Sequence, residues 1–173
     1  VVNGSAADTA GEVQGIVNAY KAILAAADGV DNNATNPTQT QYALIGVDGV
    51  NTAQKESLLG DVIDIQATDA VDTVDEVQAL ANAVAAVMTG AAGGTAPTLA
   101  QLQALGVLYV NSNNIALVQA AIAATDNSGT DVDTLAKLQA LVTSINDPAV
   151  IGGVSTASLT ETNVVQTAIG TLT

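Results

Sequence analysis

The sequence predicts an all-α chain of tandem three-helix-bundle repeats, with ends out of phase with the repeat. Three observations carry this reading. First, the stretch VDTVDEVQALANAVAAVM, Val71 to Met88, has echoes earlier and later, each opening on Asp-Thr: Asp8-Thr9, Asp72-Thr73 and Asp133-Thr134. Second, Val74, Val77, Leu80, Ala81, Val84, Val87 and Met88 recur at the roughly 3.6-residue period of an amphipathic helix. Third, Pro37, Pro97 and Pro148 each stand near the start of the same element, and none falls inside a predicted helix.

Taken in order, residues 1–7 read as a polar lead-in. A helix over about 8–27 follows, with Val13, Ile16, Val17, Tyr20, Ile23 and Leu24 on its apolar face. Thr9 with Glu12, and Thr73 with Glu76, have capping-box spacing, which satisfies two orphan backbone donors at each start. The third copy has Lys137 in place of the glutamate, which weakens that cap. Asp28 to Asn36 is dense in turn residues. Asn36 is the expected N-cap of a short helix over 38–45, opened by Pro37 and ended by Gly46.

A second helix over about 52–65 carries Leu58, Leu59, Val62 and Ile63, and the long helix over 73–89 comes next. Gly90, Gly93, Gly94 and Thr95 predict a flexible loop. Pro97 then restarts the pattern that Pro37 began: Leu99, Leu102 and Leu105 share a face, and Gly106-Val107 matches Gly46-Val47. A helix over 112–124 turns Ile115, Val118 and Ile122 inward, and one over 133–145 follows. After Pro148, Gly153-Val154 aligns with Gly106-Val107, and Val165 to Ile169 with Val118 to Ile122. The organisation is a leading helix with its loop (1–36), two three-helix units (37–96 and 97–147) and an incomplete terminal unit (148–173).

Units this small are individually marginal, so neighbours should stabilise each other. The chain is 49% apolar and only 12% charged, which argues against disorder. With three tyrosines and no Phe or Trp, its core must come from Ala, Val, Leu and Ile. The net charge of −14, with Lys21, Lys55 and Lys137 as the basic residues, would be repelled by nucleic acid and by an anionic bilayer. The sequence has no initiating Met, signal peptide or apolar run of about 20 residues, so membrane insertion is not expected. That fits a processed or excised part of a secreted protein.

Catalytic readings find little material. Without His, Cys or Arg there is no triad, thiol chemistry or usual metal-ligand set, and no cofactor is implied. Asp61 with Asp64, and Asp72 with Glu76, have spacings compatible with acid–base work, but helix capping and a solvated face explain them better. The oxygen-rich runs Asp126 to Asp133 and Asp28 to Asn36 lack the glycine register and closing glutamate of an EF-hand, so turn chemistry accounts for them. Asn3-Gly4-Ser5 and Asn33-Ala34-Thr35 are glycosylation triplets. Tyr20, Tyr42 and Tyr109 are candidates either for contacts between units or for core filling.

The segments LAQLQALGV (Leu99 to Val107), NIALVQAAIAA (Asn114 to Ala124) and DVDTLAKLQALV (Asp131 to Val142) resemble tandem helical repeats of large bacterial surface and adhesin proteins. The resemblance spans roughly residues 8–170. In helix order and lengths the units also look like the three-helix albumin-binding (GA-type) module, with no binding-face motif to carry over. The resemblance implies a non-enzymatic extracellular stalk or interaction module.

The phase of the units adds a partner. The terminal piece of one chain is expected to pack on the leading helix of the next, a heterologous contact that generates a filament. The candidate interface is Val13, Ile16, Val17, Tyr20, Ile23 and Leu24 with Val164, Val165 and Ile169. The alternative is a module that binds another surface protein on one helical face.

Overall fold

Among the described residues, threonine opens six of the seven α-helices. The computed structural model describes residues 4, 7–31 and 35–146, and among these the chain is all-helical, with no strand. The helices are α1 (Ala10–Ala26), α2 (Gln39–Leu44), α3 (Ala53–Asp64), α4 (Val74–Ala91), α5 (Leu99–Ala104), α6 (Ile115–Ala123) and α7 (Leu135–Asn146), with a 3₁₀ turn at Thr68–Ala70 before α4.

The expected capping boxes form at Thr9/Glu12 and Thr73/Glu76, and two more appear at Thr38/Gln41 and Thr98/Gln101. Thr38, not Asn36, therefore caps α2, because its N3 residue is a glutamine that reaches back to the cap. Asn36 lies instead against Gly60 of α3, where an added Cβ would come within 2.3 Å of its side chain. At α7 the box is only half made. Thr134 Oγ1 accepts from the Lys137 amide at 3.2 Å, while the lysine ammonium goes to Asp133 and the Thr130 carbonyl.

Two other expectations are corrected. Gly90 belongs to α4 rather than to the following loop, and its missing side chain lets the Pro97 ring approach: a Cβ there would lie 2.9 Å from Pro97 Cδ. The helix expected from residue 112 begins only at Ile115, because asparagines 111 and 114 spend their side chains on the turn before it. Asn114 Oδ1 accepts from the Asn111 amide and Asn111 Oδ1 from the Asn113 amide.

The short helices α2 and α5 end alike. Gly46 and Gly106 take left-handed φ of +87° and +79°, and the next amides, of Val47 and Val107, bond back to Tyr42 and Leu102. This Schellman closure places the buried Val47 and Val107 over the last turn. The middle stripe is inside as expected: Val77, Leu80, Ala81, Val84 and Val87 are buried, and Val74 and Met88 pack against the core. Leu58, Leu59, Val62 and Ile63 of α3 are buried with them, as are Leu102, Leu105, Val118 and Ile122.

Packing follows a pattern that also recurs. α1 lies on α2 and α3, just as α4 lies on α5 and α6. α3 precedes and packs on α4 as α6 precedes and packs on α7, and α3 additionally reaches α7. No described helix is long and apolar enough to cross a membrane.

Candidate functional site

Two side-chain devices stand where a long helix meets the loop after a short one, and the first of them is made twice. Gln78 of α4 clamps Asp48, its Oε1 accepting from the Asp48 amide at 2.7 Å and its Nε2 donating to the Asp48 carbonyl at 3.2 Å. Gln139 of α7 does the same to Leu108, at 2.8 and 3.3 Å. A glutamine is suited to this because its amide offers one acceptor and one donor side by side, matching one residue's backbone N–H and C=O. The residue at this place in α1 is Gln14. It donates to Asn18 as Gln78 donates to Asn82, but no described loop lies in its clamp.

The second device is the end of α3. Asp61 Oδ2 accepts from the Leu135 amide at 3.0 Å, supplying α7 with the carboxylate its own Lys137 cannot. Ile65 beside it reaches so close to Gly106 that a Cβ there would lie 2.5 Å from its Cδ1. Together Asp61, Asp64 and Ile65 close one side of a cavity of about 460 Å3 whose other walls include Gly106, Leu108, Leu135 and Gln139. The counterpart one unit earlier is a larger groove of about 670 Å3. Ile45, Gly46 and Asp48 form one wall, with Val74, Asp75 and Gln78 on the other. No helix end enters that groove among the described residues.

The apolar face of α1 is open at the same end of the molecule. Val13 is 46% exposed and Val17 39% exposed, whereas their counterparts Val77 and Ala81 on α4 are 0% and 4%. Ile16, Tyr20 and Leu24 are half-buried, and Ile23 is buried. The cause is visible in the packing: α1 has the equivalents of α5 and α6 against it, but no described helix in the place that α3 takes on α4. Val164, Val165 and Ile169 lie outside the described residues, as do the asparagines of both glycosylation triplets.

The tyrosines divide three ways. The Tyr20 hydroxyl donates to the Asp72 carbonyl and so ties α1 to the start of α4. Tyr42 is wholly buried, its hydroxyl has no hydrogen-bond partner, and burial, with the Glu56 charge second, pushes that hydroxyl far above its ordinary range. Tyr109 is 73% exposed at a left-handed φ of +64°, its carbonyl held by the amide groups of Asn114 and Asn146. Leu108 and Leu117 are likewise exposed. The sequence marked Tyr109 for its ring and not for its left-handed backbone, for which the glycine at the equivalent position, Gly49, was the available signal.

The carboxylates singled out earlier are engaged in structure. Hydrogen bonds from Thr73, and secondarily from Asp72, hold Glu76 below the usual carboxylate value, and Thr9 does the same for Glu12. In the oxygen-rich loop, hydrogen bonding from Ser128, through its side chain first and its amide second, holds the Asp126 carboxyl below its ordinary value. Asp131 accepts from the Asp126 amide, and Asp133 pairs with Lys137 at 2.7 Å. No group of three potential metal-ligating side chains occurs among the described residues.

Comparison with protein-family models, curated proteins and solved structures finds no match to this chain.

Proposed function

We propose that the chain is a tandem array of three-helix units with a structural role: a subunit or segment of an extracellular bacterial surface assembly that polymerises head to tail through copies of itself. The observation that carries this is the paired glutamine clamp. Gln78 on Asp48 and Gln139 on Leu108 make the same joint twice, within recurring caps and recurring helix contacts. A joint that can be made again at each step is the basis of a linear array, in which each unit depends on its neighbours for burial. The open face of α1, with Gln14 at its edge, is a further such joint with no partner among the described residues, and a head-to-tail contact of that kind does not close on itself. On this reading the carboxylates are caps and solubilising charge rather than catalysts, and the chain needs no cofactor.

Negative-stain electron microscopy of the purified chain tests the reading. Filaments that lengthen with concentration are expected; particles that remain single at every concentration overturn it. Immunogold labelling of intact producing cells tests the location, and label confined to the cytoplasm counts against a surface role.

Exposed Leu108 and Tyr109 favour a second reading, a module that binds another surface protein. A ring displayed on strained backbone is the kind of feature a contact site retains. That module would stay monomeric and deplete one partner from solution, and Tyr109→Gly would abolish the depletion.

A further inference from the structure

The loops that lead into α4 and α7 are built alike but are tied to the preceding long helix by different chemistry. Before α4, the Thr68 hydroxyl donates to the Ala27 carbonyl, at the end of α1, over 2.8 Å, and the Val71 amide bonds back to the Thr68 carbonyl. Before α7, the Val132 amide bonds back to the Gly129 carbonyl in the same way, and Val71 and Val132 are both buried. Gly129 has no hydroxyl to offer, and its φ of +76° is one that glycine alone adopts easily. The sulfur of Met88, near the end of α4, takes the space instead: a Cβ built on Gly129 would lie 2.8 Å from Met88 Sδ. A soft apolar contact thus stands where the earlier joint has a hydrogen bond.

Met88 is the single methionine of a chain without cysteine, so it carries the only sulfur. It is half-buried, packed against the core on one side and reachable by a small oxidant on the other. Its counterpart on α1 is Leu24, likewise half-buried and inert to oxidation.

We infer that Met88 is an oxidation site, and that its modification by peroxide opens the joint between α4 and the loop 126–132 that leads into α7. The thioether sulfur gives an electron pair to one oxygen of hydrogen peroxide, and the O–O bond breaks. The proton of the transferred oxygen passes to the departing one, which leaves as water. The sulfur is oxidised to the sulfoxide and the peroxide is reduced. The product sets a polar, chiral S–O group against Gly129, which is buried. The amides of Gly129, Thr130 and Val132 are already bonded to Asp126, Ser128 and Gly129. The new oxygen therefore draws its hydrogen bonds from water, and water reaches it when the loop lifts from α4. The Thr68–Ala27 tie holds no oxidisable atom, so the earlier joint stays closed.

Peroxide treatment of the whole chain, read by mass spectrometry and by hydrogen exchange of single amides, tests this. One oxygen atom should add at Met88 in the native chain. Exchange at Gly129 and Val132 should then speed several-fold while Val71 keeps its rate. Met88→Leu, which copies Leu24, should exchange as the untreated wild type does and ignore peroxide. The inference is overturned if the oxidised chain exchanges at Val132 as slowly as before, or if Val71 speeds equally. The same acceleration in peroxide-treated Met88→Leu also overturns it. So does a Met88 that resists peroxide until urea is added, because the sulfur is then out of the oxidant's reach in the folded chain.

Discussion

Replacing Tyr109 with glycine should stabilise the fold. At φ +64° the residue sits in the left-handed region, which costs a residue bearing a Cβ roughly 1–2 kcal/mol. Its ring is 73% exposed, so little burial is lost with it, and the bonds from Asn114 and Asn146 go to the backbone carbonyl, which glycine keeps. Against the relief stands the greater freedom of glycine in the unfolded chain, about 0.5–1 kcal/mol. The difference is a gain of about 0.5–1 kcal/mol, which for a chain of this size raises Tm by about 2–3 °C. Gly49→Ala is the matched reverse swap. Nothing lies within 4 Å of a Cβ built there, so it isolates the backbone effect and should lose a similar amount. Thermal and urea unfolding followed by circular dichroism read both. A loss of more than about 1 kcal/mol in Tyr109→Gly, or the same sign for both swaps, would refute the reasoning.

Three further outcomes are expected. Asp61→Ala should speed hydrogen exchange of the Leu135 amide several-fold without touching the first turn of α1, since it removes the carboxylate that bonds that amide; unchanged exchange at Leu135 would show that the contact contributes nothing. Tyr42→Phe should be neutral or stabilising by about 1 kcal/mol, because it deletes a buried hydroxyl with no partner at a place where the other unit has Leu102; a lowered urea midpoint counts against it. Glu12 and Glu76 have folded pKa values below the ordinary 4.5, so their contribution is fully present above that value and is lost as pH falls through the lowered ones. Glu12→Gln with Glu76→Gln should keep both boxes, as Gln41 and Gln101 already do, and flatten the acid limb of the stability profile; an acid limb parallel to the wild type's refutes the assignment.

Helix positions were legible in the sequence because periodicity and capping are local. An apolar stripe at helical spacing, a threonine three residues before Glu or Gln, and a glycine just past the last turn act within one or two turns of the chain. Two of the slips came from a competing local bond: Thr38 outcompeted Asn36 for the cap, and the Asn111–Asn114 turn delayed α6; the third, at Gly90, came from the close approach of Pro97. The candidate face of α1 was also readable as a stripe, but only as a list of apolar residues.

What the sequence alone determined, among the described residues, is a helical chain in which the short helix that follows Pro37 returns after Pro97, since those signals depend on neighbours along the backbone. Which stripe is covered and which is open was decided only by the tertiary structure. Val13 and Val77 are the same residue type in the same local pattern, and one is 46% exposed and the other 0% because α3 lies beside α4 and nothing among the described residues lies in that place on α1. The bond from the Leu135 amide to Asp61, 74 residues away, is likewise invisible to any local rule. Burial is a property of what comes to lie alongside, and contacts made at long range along the chain leave no periodic trace in it.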